Sequence, residues 1–174
     1  MPARALLAGL AAAQLQSGID LIARLEDDAW TATVPPLAAS TVGAHFRHVF
    51  DHVDALLAGL HGGIVDYDQR ARDPRIEQDR THALAHARRL GERLRDLGDG
   101  DGPVRVLQDS GERGTRAVAD STWARELQFV VAHTVHHHAL IALLLRIQGV
   151  PVDASFGVAP STLRHLAAQL QCAR

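Results

Sequence analysis

The stretch VVAHTVHHHALIALLLRIQGV, residues 130–150, constrains this chain more than any other. It has helical periodicity, meets no glycine or proline before Gly149 and Pro151, and sets His133, His136, His137 and His138 among valine, alanine and leucine. So much apolar surface must face a core, yet an imidazole in a core costs free energy unless its nitrogens find partners. The helix therefore needs either neighbours that satisfy the histidines or a ligand that the histidines hold.

Helical geometry separates the four. At about 100° per residue, His133 and His137 lie about 40° apart, on a stripe that Leu140 and Leu144 continue. His136 falls on the flank of that stripe, and His138 lies about 140° around the helix from His133, so it faces elsewhere. The i, i+4 pair has the best chelating geometry of the set. A second group stands upstream in HFRHVFDH, where His45, His48 and His52 fall within about 60° of one another. Any of these three could add a third nitrogen to the pair.

A single histidine on an apolar face is ordinarily a satisfied core residue. Several together, flanked mostly by alanine, valine and leucine, lack the partners that reading requires. Neutral imidazole is a common ligand for zinc, nickel, iron and copper, and three protein nitrogens with the remaining positions open describe a catalytic rather than a closed structural site. The zinc-protease signature His-Glu-x-x-His is absent, because Thr134 stands where its glutamate would be.

The rest of the chain reads as further helices. Apolar spacing predicts a first helix from about Ala3 to Asp28, with Pro35-Pro36 enforcing a connection. A second starts after Ser40 or Thr41, either able to cap it, and runs to the Gly62-Gly63 stop. The charged segment VDYDQRARDPRIEQDR reads as a long surface loop, and RTHALAHARRLGERLRDL as a third helix with its arginines on a solvated face. PVRVLQDSGERGTRAVADS holds two β-prone pieces around a glycine-containing turn, which predicts a small hairpin or an irregular crossover. Ser121 or Thr122 then caps the fourth and longest helix, which runs through about Gln148, and a short last helix starts at Pro160 or Ser161. Four long amphipathic helices with one insertion argue for an all-α, four-helix bundle in a single domain over 1–174.

Composition narrows the partners. A net charge of −2 gives no basic field for nucleic acid or an anionic membrane. The one cysteine, Cys172, excludes an internal disulfide framework, suits a reducing compartment and reads as an incidental terminal thiol. The apolar N-terminus runs into QSGIDLIARLEDDAW without a break, which reads as a helix of a cytoplasmic protein rather than a signal peptide. No uninterrupted apolar run reaches the roughly eighteen residues of a membrane span.

The order and helical placement of these motifs resemble the DinB-like superfamily of metal-binding helical bundles over almost the whole chain. That family carries a histidine on its second helix within His-x-x-Asp or His-x-x-Glu, matched here by RHVFD with His48 and Asp51. It carries a His-x-x-x-His pair on a later helix, matched by AHTVHH with His133 and His137. The resemblance implies an up-down-type bundle and a metal triad of His48, His133 and His137. It also implies a divalent ion, zinc or nickel first, and a low-molecular-weight thiol as a candidate cosubstrate. Relatives include proteins induced by DNA damage, metal-dependent hydrolases, and transferases or isomerases that use such thiols, so the family specifies a site better than a reaction. The leading expectation is a small-molecule hydrolase or thiol S-transferase, with a homodimer as a candidate assembly. The rival is a non-catalytic metal-binding or stress-related bundle with a structural or sensing role.

Other residues take two readings each. Glu126, two turns before His133, is either the catalytic acid or base of the site or a first-turn glutamate favoured by the helix dipole. Asp51 could receive the second N–H of His48 or pair with Arg47 on the surface. Arg70, Arg72 and Arg75 alternate with Asp66, Asp68, Asp73 and Glu77, as a solvated ion network would, or as a lid that binds a substrate carboxylate. Trp30, Tyr67 and Trp123 read as packing anchors.

Overall fold

The first apolar stripe breaks earlier than its periodicity suggests. In the computed structural model, which describes residues 3–35, 39–112 and 114–172 (Cys172 by its backbone alone), helix α1 spans Ala3–Arg24 and a separate short helix α2 spans Asp27–Thr31. Pro36 and the side chain of Cys172 lie outside the described residues. Glu26 between the helices is extended, with φ −82° and ψ 153°. That break turns the chain so that Trp30 reaches the core, where it is fully buried and stacked on Phe46 with ring centroids 5.3 Å apart. A straight helix to Asp28 would follow the local pattern but could not seat this indole. Gly43 completes the seat, since a Cβ there would lie 2.6 Å from Trp30 Nε1 and 2.4 Å from the Glu77 carbonyl oxygen.

Helix α3, Val42–Gly59, begins at Thr41, whose hydroxyl accepts from the Ala44 N–H at 3.0 Å. The charged segment that follows is not one loop. It forms strand β1, Ile64–Asp66, and helix α4, Pro74–Gln78, because Val65 and Ile76 find the core and become buried. Single apolar residues in such short elements leave no periodicity to read. Helix α5 spans Arg80–Arg95.

The expected hairpin is present as strands β2, Pro103–Asp109, and β3, Arg116–Thr122, paired antiparallel with Val104 opposite Ser121 and Val106 opposite Ala119. Strand β1 joins β2 in parallel, Val65 beside Val106, and makes a three-stranded sheet in the order β1-β2-β3. Thr122 caps the longest helix, α6, Trp123–Ile147, by accepting from the Arg125 N–H at 3.2 Å. Helix α7, Pro160–Cys172, closes the described chain.

The fold is thus mostly helical with one small sheet. Helix α1 packs against α5 and α6, and α3 packs against the same two, so the four long helices surround a shared core. That core includes Leu15, Ile22, Phe50, Leu57, Leu90 and Ile141. Helices α1 and α6 contain windows apolar enough, by length and mean hydropathy of 1.4 and 1.3, to match membrane-crossing helices. Averaging over a window hides the polar interruptions that stop any single run, and both helices bury a face against their neighbours.

Candidate metal centre

Packing of α3 on α6 brings the two histidine groups together. On α3, Phe46, Val49 and Val53 point into the core, which rotates His45, His48 and His52 toward the α6 side. On α6, Val130, Thr134 and Ile141 are buried, and His133 and His137 sit half-buried beside them.

Among the described residues, His48, His133 and His137 form a group whose candidate ligand nitrogens all lie within 4.8 Å of one another. Their rings stand with centroids 4.9 Å apart for His48 and His133, 4.6 Å for His48 and His137, and 4.5 Å for His133 and His137. Two details fit the needs of an ion. His133 Nε2 is buried with no hydrogen-bond partner among the described residues, a costly state that a ligand would relieve. His137 Nδ1 lies 3.0 Å from His45 Nδ1. With His137 as donor in that bond, its Nε2 lone pair is left free, as in metal sites where an outer partner orients the ligating ring.

The electrostatics favour neutral imidazoles. Burial, followed by the neighbouring imidazoles His52 and His137 and by the Arg70 guanidinium, pulls His48 down to about 3. Burial with His52, His137 and His48 brings His133 to about 3, and burial with His45 and His136 brings His137 to about 4. Burial also lowers His45 and His52. Lone pairs in this cluster are therefore available at neutral pH, the state a metal ligand requires.

The other candidates distribute around this group. His136 is exposed and meets His137 edge-on at 5.3 Å, on the flank expected of it. His138 faces away, fully buried between Phe46 and Phe156. His45 borders the triad through His137, and His52 borders it through His133, with ring centroids 4.0 Å apart. His52 Nδ1 donates to the His48 carbonyl oxygen at 2.8 Å, one turn back on α3.

Asp51 meets neither expectation: among the described residues no hydrogen bond reaches it from His48 or Arg47. Arg47 instead pairs with Glu77 of α4, because the short helix lands beside it. Asp51 is buried, and burial pushes its carboxyl up against the opposing pull of Arg70 and Arg47.

The charged segment also divides. Arg75 pairs with Asp73 at 2.7 Å and Arg116 with Asp66 at 2.6 Å, as in a solvated network. Arg70 turns inward and places Nη1 2.8 Å from His48 Nδ1. It lines a cleft of about 330 Å³ together with His48, His52, Tyr67, Val106 and Phe129. A second cleft of about 290 Å³ shares Tyr67, Val106 and Phe129 and reaches Glu126.

Glu126 is outside the three-nitrogen group. It is buried, and its carboxylate accepts from the Tyr67 hydroxyl at 2.9 Å and the Ser121 hydroxyl at 2.6 Å. Burial and the Glu126 charge raise the Tyr67 hydroxyl above its usual range. Tyr67 also stacks on His52 with centroids 5.4 Å apart, so it connects the carboxylate to the histidines. Tyr67 is thus more than the packing anchor its sequence context predicts, and Ser121, a candidate cap in the sequence, serves Glu126 instead. No local signal marks either role, because both contacts depend on the sheet meeting α6.

Comparison with known proteins adds three findings. A stretch of 49 residues, 28% of this chain, is 41% identical to part of FK506-binding protein 5 of Rhizopus delemar, and covers 13% of that protein's length. No solved structure matches this chain. The family profile of the DinB superfamily matches residues 5–141, which span α1 to the greater part of α6 and include both histidine groups; the chain belongs to the DinB superfamily.

Proposed function

We propose that this DinB-superfamily chain is a metal-dependent enzyme on a four-helix-bundle scaffold, acting on a small molecule by hydrolysis or thiol transfer. The observation that carries the reading is the convergence of His48, His133 and His137, three nitrogens within 4.8 Å drawn from two helices. The triad opens through His48 onto the cleft lined by Arg70, Tyr67 and Phe129. Three protein ligands beside open space match a catalytic site, whereas a structural site is closed by a fourth. A divalent ion, zinc or nickel first, supplies Lewis-acid activation and lowers the pKa of a water or a substrate thiol toward neutrality.

The chain's own groups prepare that chemistry. His45 fixes the ring of His137 through the Nδ1 contact, and burial keeps all three triad imidazoles neutral. Phe129, Val106 and Tyr67 give the cleft an apolar wall that excludes water from a bound substrate. Glu126 and Tyr67 form a hydrogen-bonded carboxylate and phenol in the adjoining second cleft, and this pair can hold or pass a proton.

Elemental analysis after growth in metal-supplemented medium tests the ligand set. Wild type is expected to retain close to one equivalent of metal, and His48→Ala and His137→Ala to lose it while keeping the helical circular-dichroism spectrum. Full retention by both variants would sink the assignment. With metal confirmed, turnover of thiol conjugates against simple esters and amides separates the two reactions.

A further inference from the structure

Arg70 is the one arginine of the charged segment that reaches the histidines. Its Nη1 donates to His48 Nδ1 at 2.8 Å and stands 3.4 Å from His52 Nδ1, whose own proton goes to the His48 carbonyl oxygen. Among the described residues Arg70 forms no ion pair, although the buried Asp51 carboxyl feels its charge, and its Nε is buried without a hydrogen-bond partner. A guanidinium has five N–H donors and no acceptor, and it matches a carboxylate in a two-pronged geometry. Here a half-buried arginine spends its contacts on neutral imidazole and leaves its strongest pairing unmade.

The contact with His48 is also incompatible with ligation. Arginine can only donate, so His48 Nδ1 must supply its lone pair, and the proton of the neutral ring then sits on Nε2. A neutral imidazole has one lone pair in the ring plane. If His48 gives it to an ion through Nδ1, Arg70 loses its acceptor directly. If it ligates through Nε2, the proton moves to Nδ1 and faces the guanidinium as a second donor. Either way Arg70 must leave His48, and the space in front of it is the cleft with the apolar wall of Val106, Leu107 and Phe129. Asp68 also lines this cleft, but its carboxylate accepts from the Asp109 backbone N–H at 2.6 Å and faces the sheet.

We propose that Arg70 is the anion-binding residue of this site, released from His48 when the triad ligates an ion and then free to pair with the carboxylate of a substrate whose flat apolar body lies on Phe129. The proposal rests on the triad reading above and deepens it by naming the substrate class. It makes Arg70 a specificity residue that also competes with metal, so the two kinds of binding respond to its removal in opposite directions.

Calorimetry with benzoate, and with benzamide as the neutral control, measures the anion arm on the metal-loaded protein. Chelator competition measures the metal arm on the metal-free protein. Wild type should bind benzoate in preference to benzamide. Arg70→Gln should weaken benzoate at least tenfold and tighten metal several-fold, Arg70→Lys should restore part of the benzoate affinity, and Arg72→Gln in the exposed loop should change neither. Equal benzoate and metal affinities in wild type and Arg70→Gln would overturn the proposal while leaving the triad standing. Failure of wild type to take up metal would instead overturn the triad reading, and this inference with it.

Discussion

His137 and His138 are neighbours in sequence and occupy opposite kinds of place. His137 is half-buried, bonded to His45 and surrounded by His48 and His133. His138 is completely buried, stacked on Phe156 at 4.4 Å and tilted against Phe46 at 5.9 Å, and among the described residues neither ring nitrogen has a partner. Burial alone would single out His138 as the special residue. Convergence singles out His137, and convergence is what an ion needs. Burial pulls His138 down to about 3, so its ring stays neutral and behaves as a packing side chain that carries two unsatisfied nitrogens.

Removing each neighbour in turn gives the largest effect. His137→Ala should weaken metal binding on the order of 100-fold or more, since loss of an outer partner alone commonly costs ten- to a hundred-fold. His138→Leu should bind metal as wild type does, and its stability should stay within about 1 kcal/mol, because lost packing is offset by removing unsatisfied nitrogens. Chelator competition and urea denaturation on both variants read the two sides. Metal loss in His138→Leu would erase the distinction between the neighbours.

Acid should reveal what the two places share. In the fold His48, His133 and His138 titrate near 3 and His137 near 4, against 6.5 for a free imidazole. A folded-state pKa below the unfolded value means that the unfolded chain binds more protons as pH falls. Stability of the metal-free protein is therefore present above about pH 6.5 and declines as pH falls toward about 3. Urea midpoints at pH 7.5, 6 and 5 should fall in that order, and a flat series would contradict the neutral cluster.

A smaller effect sharpens the His138 side. Gly18 on α1 lies under this ring, and a Cβ there would stand 3.0 Å from Phe46 Cε1 and 3.1 Å from His138 Nε2. Gly18→Val should cost about 1–3 kcal/mol by overpacking and leave metal affinity unchanged. A shift in metal affinity would show that the apolar pocket and the triad are mechanically coupled.

Much of this was legible before folding was considered. Apolar spacing located the long helices, and Thr41 and Thr122 both cap the helices they precede. The His133/His137 pair and the turn of His138 away from it follow from angle alone, whereas the choice of His48 over His45 and His52 came from the family pattern. The break before α2, strand β1 and helix α4 were not legible, since each is held by one residue finding the core: Trp30, Val65 and Ile76. Arg70 is the sharpest case. In sequence it is one of several arginines among acids, and only the path of the chain from β1 to α4 carries it to His48.

The sequence by itself determined the helices, their faces and the ligand-capable pair, because a helix repeats at fixed angles and those angles are local. Tertiary structure brought His48 beside that pair, sealed His138 in the core, and set what lines the approach. Phe156 covers His138 only because Gly157, at φ +77°, lets the chain pass so close to α6 that a Cβ would meet Ala139 N at 2.5 Å. Tyr67 reaches Glu126 only because β1 adds to the hairpin beside α6. These contacts join residues distant in the chain, and no local periodicity records which partner arrives.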